Sequence, residues 1–182
     1  AGRDLLTPFV QACRKHGLKV GFYFSHLDWS HPDYATVYPT RGSVQQPDPA
    51  RYTNRFAYPE PGKEDATRWA EFIKFHRLQL EELSTQFGDV DIYWFDGEWE
   101  RDPEQFDMLG LRDQLTAWQP NAIFNSRLLG CGDYATPEQG IPITPPEGPW
   151  EFCVTINDSW GYQVGDENHK SVRQLVRMFA ET

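Results

Sequence analysis

The chain has 182 residues, 39% hydrophobic and 24% charged, a balance typical of one globular domain with a buried core. Its formal net charge of −10 argues against nucleic acid or an anionic membrane as a partner, because both require a basic face on the protein. No apolar run approaches the roughly 20 residues that a membrane-spanning helix needs, so no membrane span is expected.

Predicted helices and strands alternate along the chain. The hydrophobic patterns predict helices over residues 4–16, 64–87, 104–118 and 171–181. They predict strands over residues 19–25, 91–96, 122–126 and 152–156. Two long loops, 26–62 and 127–150, follow strands, whereas the connections from helix to strand are short.

This order predicts an α/β fold with a parallel sheet. Long loops at one edge are typical of an α/β barrel whose functional rim lies there. A complete eight-stranded barrel usually needs roughly 250 residues, so we expect part of a (β/α)8 TIM-like barrel, about four strands with their helices. Because the chain begins and ends within helical patterns, residues 1–182 are interpreted as a central segment, truncated at both ends.

The strand 91–96 ends in a carboxylate, Asp96, which glycine and two further acids follow. A carboxylate at the carboxyl end of a buried parallel strand lies where α/β barrels build their active sites. Trp94, Phe95 and Trp99 would give it flat apolar walls of the kind that sugar-cleaving enzymes use. The alternative is an aspartate that caps the following helix.

The residues that follow the four predicted strands form a set of rim candidates: His26, Asp28, Trp29, Asp96, Glu98, Trp99, Arg127, Asp133, Glu138, Glu151, Asn157, Asp158, Trp160 and Tyr162. Two carboxylates on separate strands, among aromatics and one arginine, match the requirement of glycoside cleavage. One acid attacks or stabilises the anomeric carbon, and the other protonates the leaving oxygen.

Other chemistries find less support. His26 and Asp28 are the best metal-ligand candidates, but there is no paired-histidine spacing such as HxxxH. The cysteines (Cys13, Cys131 and Cys153) are widely spaced and form no CxxC pair, so they indicate neither a disulfide framework nor a zinc site. The sequence contains no GxSxG motif, so it gives no indication of a serine nucleophile. We therefore expect no metal and no cofactor.

Four motifs in chain order resemble the α-L-fucosidases of glycoside hydrolase family 29. They are KVGFYFSHLDWSHPDY, IYWFDGEWE, IFNSRLLGCGDYATPEQ and PWEFCVTINDSWGYQ. The resemblance implies a segment of a glycosidase catalytic barrel. It further implies a retaining exo-glycosidase that hydrolyses terminal α-L-fucosyl linkages, with fucosylated glycans or glycosides as substrates.

The resemblance also implies roles for individual residues. Asp96, the aspartate of the W-x-D motif, is implied as the nucleophile, with Trp94 against the sugar. Arg127, at the end of the N-x-R strand, is implied to bind fucose hydroxyls or to position the nucleophile, and Trp160 to wall the methyl side of fucose. The structural alternatives are plain core positions for both tryptophans and an ion pair with a structural acid for Arg127.

The acid/base is implied to be Glu138, the glutamate of the T-x-E segment, with Glu151 and Glu98 as alternatives. A competing hypothesis is a non-catalytic carbohydrate-binding or vestigial fragment that holds sugar through tryptophans. Another is a different retaining glycosidase on the same barrel.

The motifs that fucosidases carry on their front strands are absent. We therefore expect the isolated segment to need missing barrel strands or a homo-oligomer partner for activity. Without them, apolar strand residues are expected to be at least partly exposed: Val20, Phe22, Phe24, Ile92, Phe124 and Val154.

Overall fold

A computed structural model describes residues 2–35 and 64–181. The helices are α1 (Leu6–Lys15), α2 (Ala66–Thr85), α3 (Pro103–Phe106), α4 (Met108–Trp118) and α5 (Val172–Glu181), and a 3₁₀ helix spans Glu98–Glu100. The strands are β1 (Gly21–Ser25), β2 (Ile92–Asp96) and β3 (Ile123–Phe124). Most of the predicted loop 26–62 lies outside the described residues. No described helix is long and apolar enough to cross a membrane.

The chain divides into two compact units, Ala1–Gly132 and Asp133–Thr182. All three strands lie in the first unit, where they form a parallel sheet in the order β1-β2-β3. The register pairs Tyr23 with Trp94 and Ser25 with Asp96. The predicted α/β class with a parallel sheet is therefore confirmed, while closure into a barrel stays a prediction.

One face of this sheet is covered by helices. Because side chains alternate along a strand, Phe22, Tyr93, Phe95 and Phe124 share this covered face and are at most 6% exposed. The hydroxyls of Tyr93 and Ser84, the latter on α2, lie 2.8 Å apart. The full burial of each such side chain contributes about 1.5–3 kcal/mol.

The prediction that the apolar strand residues are at least partly exposed is wrong for three of the six residues. Val20, Phe22 and Phe124 are buried, because they lie beneath the helices rather than on the opposite face. The opposite face instead carries Tyr23, which is 62% exposed, and Ile123, which is 43% exposed.

The helix predicted over residues 104–118 is interrupted at Asp107. This residue adopts a left-handed conformation with φ +49° and separates α3 from α4. Its carboxylate accepts a hydrogen bond from the backbone N–H of Gly110 (3.2 Å) and thereby caps α4. A short acidic side chain that binds a local N–H competes with helix continuation, which explains the break. The other three predicted helices are confirmed to within a few residues.

The strand predicted over residues 152–156 is wrong. The second unit instead forms isolated parallel bridges, Ala135 with Trp150 and Glu138 with Cys153. The backbone N–H and carbonyl of Thr155, which would pair with a neighbouring strand in a sheet, are instead bound by side chains. The Thr155 N–H donates to Gln139 Oε1 (3.4 Å), and the Thr155 carbonyl accepts from Lys170 Nζ (2.7 Å). These local partners remove the need for a neighbouring strand.

Candidate active site

Asp96 is held by two donors at the carboxyl end of β2. Arg127 Nη1 donates to Oδ1 at 2.9 Å, and the Tyr23 hydroxyl donates to Oδ2 at 2.6 Å. The 3₁₀ helix that follows has Gly97 at its N-cap and no side-chain cap. The carboxylate is therefore bound across the sheet edge rather than used as a helix cap, which was the alternative interpretation.

The sheet register explains why these groups meet. Tyr23 and Ser25 lie on the same face of β1, and Ser25 pairs with Asp96 on β2. Asn125, directly after β3, binds the backbone of Phe95 through both ends of its amide: Oδ1 accepts from N–H and Nδ2 donates to the carbonyl, each at 2.9 Å. This side chain continues the ladder beyond Phe124 and brings Arg127, two residues later, to Asp96.

An aromatic surface adjoins the carboxylate. The rings of Tyr23 and Trp94 stack with centroids 5.6 Å apart and an interplanar angle of 17°. The Arg127 guanidinium carbon lies 5.1 Å from the centre of the Trp94 ring. The structure thus brings together three residues that the sequence proposed, Asp96, Trp94 and Arg127.

Arg127 lies close to two carboxylates, those of Asp96 and Glu98. Its side chain is only 11% exposed, and Nη1 lies 3.7 Å from Glu98 Oε2 as well as against Asp96. A guanidinium in this position offsets the repulsion between two neighbouring carboxylates. Burial, and then its hydrogen bond to Asp96, raise the pKa of Tyr23 above its ordinary value, so the phenol stays protonated and remains a donor.

Three rim candidates near β1 have structural positions instead. The ring of His26 is completely buried. Asp28 Oδ1 accepts from the backbone N–H groups of Ser30 (3.0 Å) and His31 (3.1 Å) and so stabilises a turn. Trp29 Nε1 donates to the buried Glu100 at 3.1 Å. In residues 2–35 and 64–181, no group of three or more His, Cys, Asp or Glu is arranged to hold a metal ion.

The other site candidates belong to the second unit and are described within it. Glu138 is exposed and precedes Gln139, a non-glycine residue with φ +62°. The Gln139 N–H donates to the Cys153 carbonyl at 2.8 Å, which fixes this turn. Glu151 Oε1 accepts from Cys153 Sγ at 3.6 Å. Trp160 is 63% exposed and is therefore not the core residue that its structural alternative required.

The sequence reasoning missed Tyr23 and the bracing role of Asn125. Tyr23 lies on β1 in alternation with Gly21 and Ser25, while its neighbours Phe22 and Phe24 face the helices. A tyrosine that shares a strand face with glycine and serine, and not with the phenylalanines, could have indicated that its hydroxyl points away from the helix-covered core.

Gly97 tests how tightly the turn after Asp96 is built. Its φ is +82°, and an added Cβ would lie 2.5 Å from Leu27 Cγ. Gly130 has a similar φ of +76° but open space around it. We expect Gly130→Ala to destabilise by about 1 kcal/mol from backbone conformation alone. Gly97→Ala should cost about 2 kcal/mol more, because the clash adds to the same conformational penalty.

Urea unfolding of both variants beside the wild type measures this difference. Equal losses of unfolding free energy in the two variants would show that Leu27 yields without cost, and would contradict the packed turn.

Asp96, bound by Arg127 beside Trp94 at the carboxyl edge of a parallel sheet, is an arrangement that is compatible with the class of sugar-cleaving glycoside hydrolases. Within that class, a family model described as Alpha-L-fucosidase matches residues 1–182. The chain therefore belongs to the alpha-L-fucosidase family, as its motifs indicated.

Individual relatives agree. Tissue alpha-L-fucosidase of Bos taurus is 27% identical over 172 residues, which cover 88% of this chain and 31% of that protein. The solved alpha-L-fucosidase isoenzyme 1 from Paenibacillus thiaminolyticus is 35% identical, with a TM-score of 0.69, over 100% of this chain and 44% of that one. AlfC from Lactobacillus casei, solved with its alpha-L-fucose product, is 29% identical with a TM-score of 0.69, over 98% and 54%. The chain thus spans about a third of the curated relative and about half of the solved ones.

Proposed function

We propose that this chain is part of a retaining exo-acting α-L-fucosidase, in which Asp96 is the nucleophile and Glu138 the acid/base. Family membership supports the substrate class. The observation that carries the proposal is the Asp96 carboxylate, bound at Oδ1 by Arg127 and at Oδ2 by Tyr23. Two directed donors hold the carboxylate in one orientation, which favours its attack along one line.

The proposed reaction has two steps. In the first, an Asp96 oxygen attacks the anomeric carbon while Glu138 gives its proton to the departing glycosidic oxygen, which leaves a covalent fucosyl-enzyme. In the second, Glu138 takes a proton from water, the water oxygen attacks the same carbon, and the bond to Asp96 breaks. Two inversions at one carbon yield fucose with the configuration of the substrate.

The remaining site residues are proposed to bind the sugar. Trp94 and Trp160 offer flat apolar faces to fucose, and the 63% exposure of Trp160 supports this use. Arg127 is proposed both to orient Asp96 and to bind fucose hydroxyls, since a guanidinium presents five N–H donors.

Glu138 is favoured over its alternatives for the acid/base role. Glu98 Oε2 lies 3.7 Å from Arg127 Nη1, the same nitrogen that binds Asp96, so Glu98 belongs to the ion-pair cluster of the proposed nucleophile. Glu138 is the glutamate of the T-x-E segment that the family resemblance implies for this role, and it is exposed on its turn. Glu151 instead accepts a hydrogen bond from Cys153.

The rest of the sugar pocket is proposed to come from missing barrel strands or from a homo-oligomer partner. The three-stranded sheet supports this, because β1 and β3 each pair only with β2 among the described residues. Unpaired edges of a parallel sheet are normally covered or closed.

The test uses the complete protein in which this chain occurs. We expect mixing with an activated aryl α-L-fucoside to release a burst of phenol in proportion to enzyme, and proton NMR to detect the α-anomer of L-fucose first. Binding without release would favour the non-catalytic carbohydrate-binding hypothesis instead. First appearance of the β-anomer would contradict retention.

Tyr23→Phe is expected to lower kcat by about 10-fold, the value of one lost hydrogen bond to a charged group. Phenylalanine keeps the stacking on Trp94 but removes the donor to Asp96 Oδ2. Steady-state kinetics measure the change, with circular dichroism as the folding check. An unchanged kcat in Tyr23→Phe would exclude a role for this hydroxyl in orienting Asp96.

A further inference from the structure

Two buried histidines lie behind the ion pair of Asp96 and Arg127. His26 follows β1 and is 0% exposed, and His76, on α2, is 2% exposed. His26 Nδ1 lies 3.1 Å from His76 Nε2, and His26 Nε2 lies 3.3 Å from the main-chain oxygen of Arg127. A buried polar pair in an aromatic core is costly unless its members are hydrogen-bonded, so the hydrogen bonds of the two rings decide how they are held.

The hydrogen bonds have only one consistent direction. The Arg127 carbonyl can only accept, so His26 Nε2 carries a proton. In a neutral ring His26 Nδ1 is then an acceptor, and His76 Nε2 donates to it. His76 Nδ1 is left as a buried acceptor with no hydrogen-bond partner in the described part of the chain.

The surroundings keep both rings neutral. Burial lowers the pKa of His26 to about 3 and lowers that of His76 well below its ordinary value. The nearby Arg77 guanidinium, which donates to the carbonyls of Phe106 (2.8 Å) and Asp107 (2.7 Å), adds to both shifts.

His26 binds both members of the ion pair through their backbones. Its own N–H donates to the Asp96 carbonyl at 2.8 Å, while its ring donates to the Arg127 carbonyl. The ring is fixed by stacking on Phe95, with centroids 4.9 Å apart and an interplanar angle of 6°. Its rotation is further limited by the hydrogen bond to His76.

We propose that His26, braced by His76, is a positioning residue that sets the turn after β3 and so places the Arg127 guanidinium on Asp96. Its effect on catalysis rests on the proposed function, whereas its effect on the position of Arg127 does not. His26 touches no substrate in this proposal and acts only through Arg127.

Three substitutions in the complete protein separate the contributions of the ring. His26→Phe keeps an aromatic ring on Phe95 but removes the donor to Arg127, and kcat/KM for an aryl fucoside should fall about 10-fold. His26→Gln places an amide N–H close to the position of Nε2, and should remain within about 3-fold of wild type. His26→Asn is too short to reach the Arg127 carbonyl, so it should resemble His26→Phe.

A double-mutant cycle with Arg127→Ala identifies the route of the effect. If His26 acts through Arg127, His26→Phe should change kcat/KM less than about 2-fold once Arg127 is absent. A general packing defect would instead reduce activity by the same factor in both backgrounds, and that result would overturn the proposal. His16→Gln, at an exposed histidine, is the matched control and should leave activity unchanged.

An NMR measurement decides the structural claim without any turnover. We expect the nitrogen spectrum of His26 to report the Nε2–H tautomer. The Arg127 Nε–H resonance, assigned with Arg127→Lys, should shift in His26→Phe and return in His26→Gln. If the wild type shows no fucosidase turnover, the proposed function fails, while these signals still decide the position of Arg127. An Arg127 Nε–H resonance that does not shift in His26→Phe overturns the proposal. If His26→Phe does not fold, the same resonance is compared between His26→Gln and His26→Asn, and equal positions in these two variants overturn the proposal.

Discussion

Asp96→Ala is expected to lower fucosidase turnover by about 1,000-fold or more while the protein remains folded. Such a loss corresponds to about 4 kcal/mol of barrier and follows from removal of the only proposed group that bonds to the anomeric carbon. Steady-state kinetics on an aryl α-L-fucoside, with circular dichroism as the folding check, measure the effect. Asp96 is 24% exposed, so its truncation leaves no large buried cavity that would unfold the sheet.

Chemical rescue makes this prediction specific to a nucleophile. Azide fits the space left by the carboxylate and should restore part of the turnover of Asp96→Ala, with fucosyl azide as the product. Asp91→Asn is the matched control, because Asp91 precedes the opposite end of the same strand. There it binds Lys19 and the backbone of Val20, each at 2.8 Å. Turnover in Asp96→Ala above a tenth of wild type would contradict the nucleophile role.

The sequence predicted the parts of the site that depend on local order. A strand that ends in Asp96 and another that ends before Arg127 could be located from hydrophobic runs and turn residues alone. Parallel strands place their carboxyl ends at one edge, so the meeting of these side chains followed from topology. The 2.9 Å contact between Arg127 and Asp96 agrees with that inference.

The parts that could not be predicted depend on side chains that satisfy backbone groups. Asn125 extends the ladder of β3 with its amide, and Asp107 ends one helix while it caps the next. Lys170 and Gln139 bind the backbone of Thr155, where a fourth strand was expected. Composition and periodicity carry no signal for such pairings, since each joins residues by tertiary position.

The same limit applies to His26. From the sequence, a histidine directly after a strand belonged to the functional rim, and only the packing of α2 shows that it faces His76 instead. Side chains alternate between the two faces of a strand, so the sequence shows which residues share a face. It does not show which of the two faces the helices cover, and that requires the structure.

Glu138→Ala is expected to reveal the acid/base through its dependence on the leaving group. A fucoside with a poor leaving group needs protonation of the departing oxygen, so its turnover should fall by about 100-fold or more. An aryl fucoside with a good leaving group needs little protonation, so formation of the covalent intermediate should slow much less.

The second step then identifies Glu138 as the base as well. Without it, water attacks slowly and the fucosyl-enzyme on Asp96 accumulates, which intact-protein mass spectrometry detects as an added deoxyhexosyl group. Azide, which needs no general base, should relieve this block and yield fucosyl azide. Glu147→Ala, at an exposed glutamate of the same loop, is the matched control and should behave as wild type. Equal losses of turnover on good and poor leaving groups would exclude Glu138 as the acid. The same leaving-group analysis of Glu151→Ala and Glu98→Ala would then reassign the role. Only loss of the true acid makes the rate depend on the basicity of the departing oxygen.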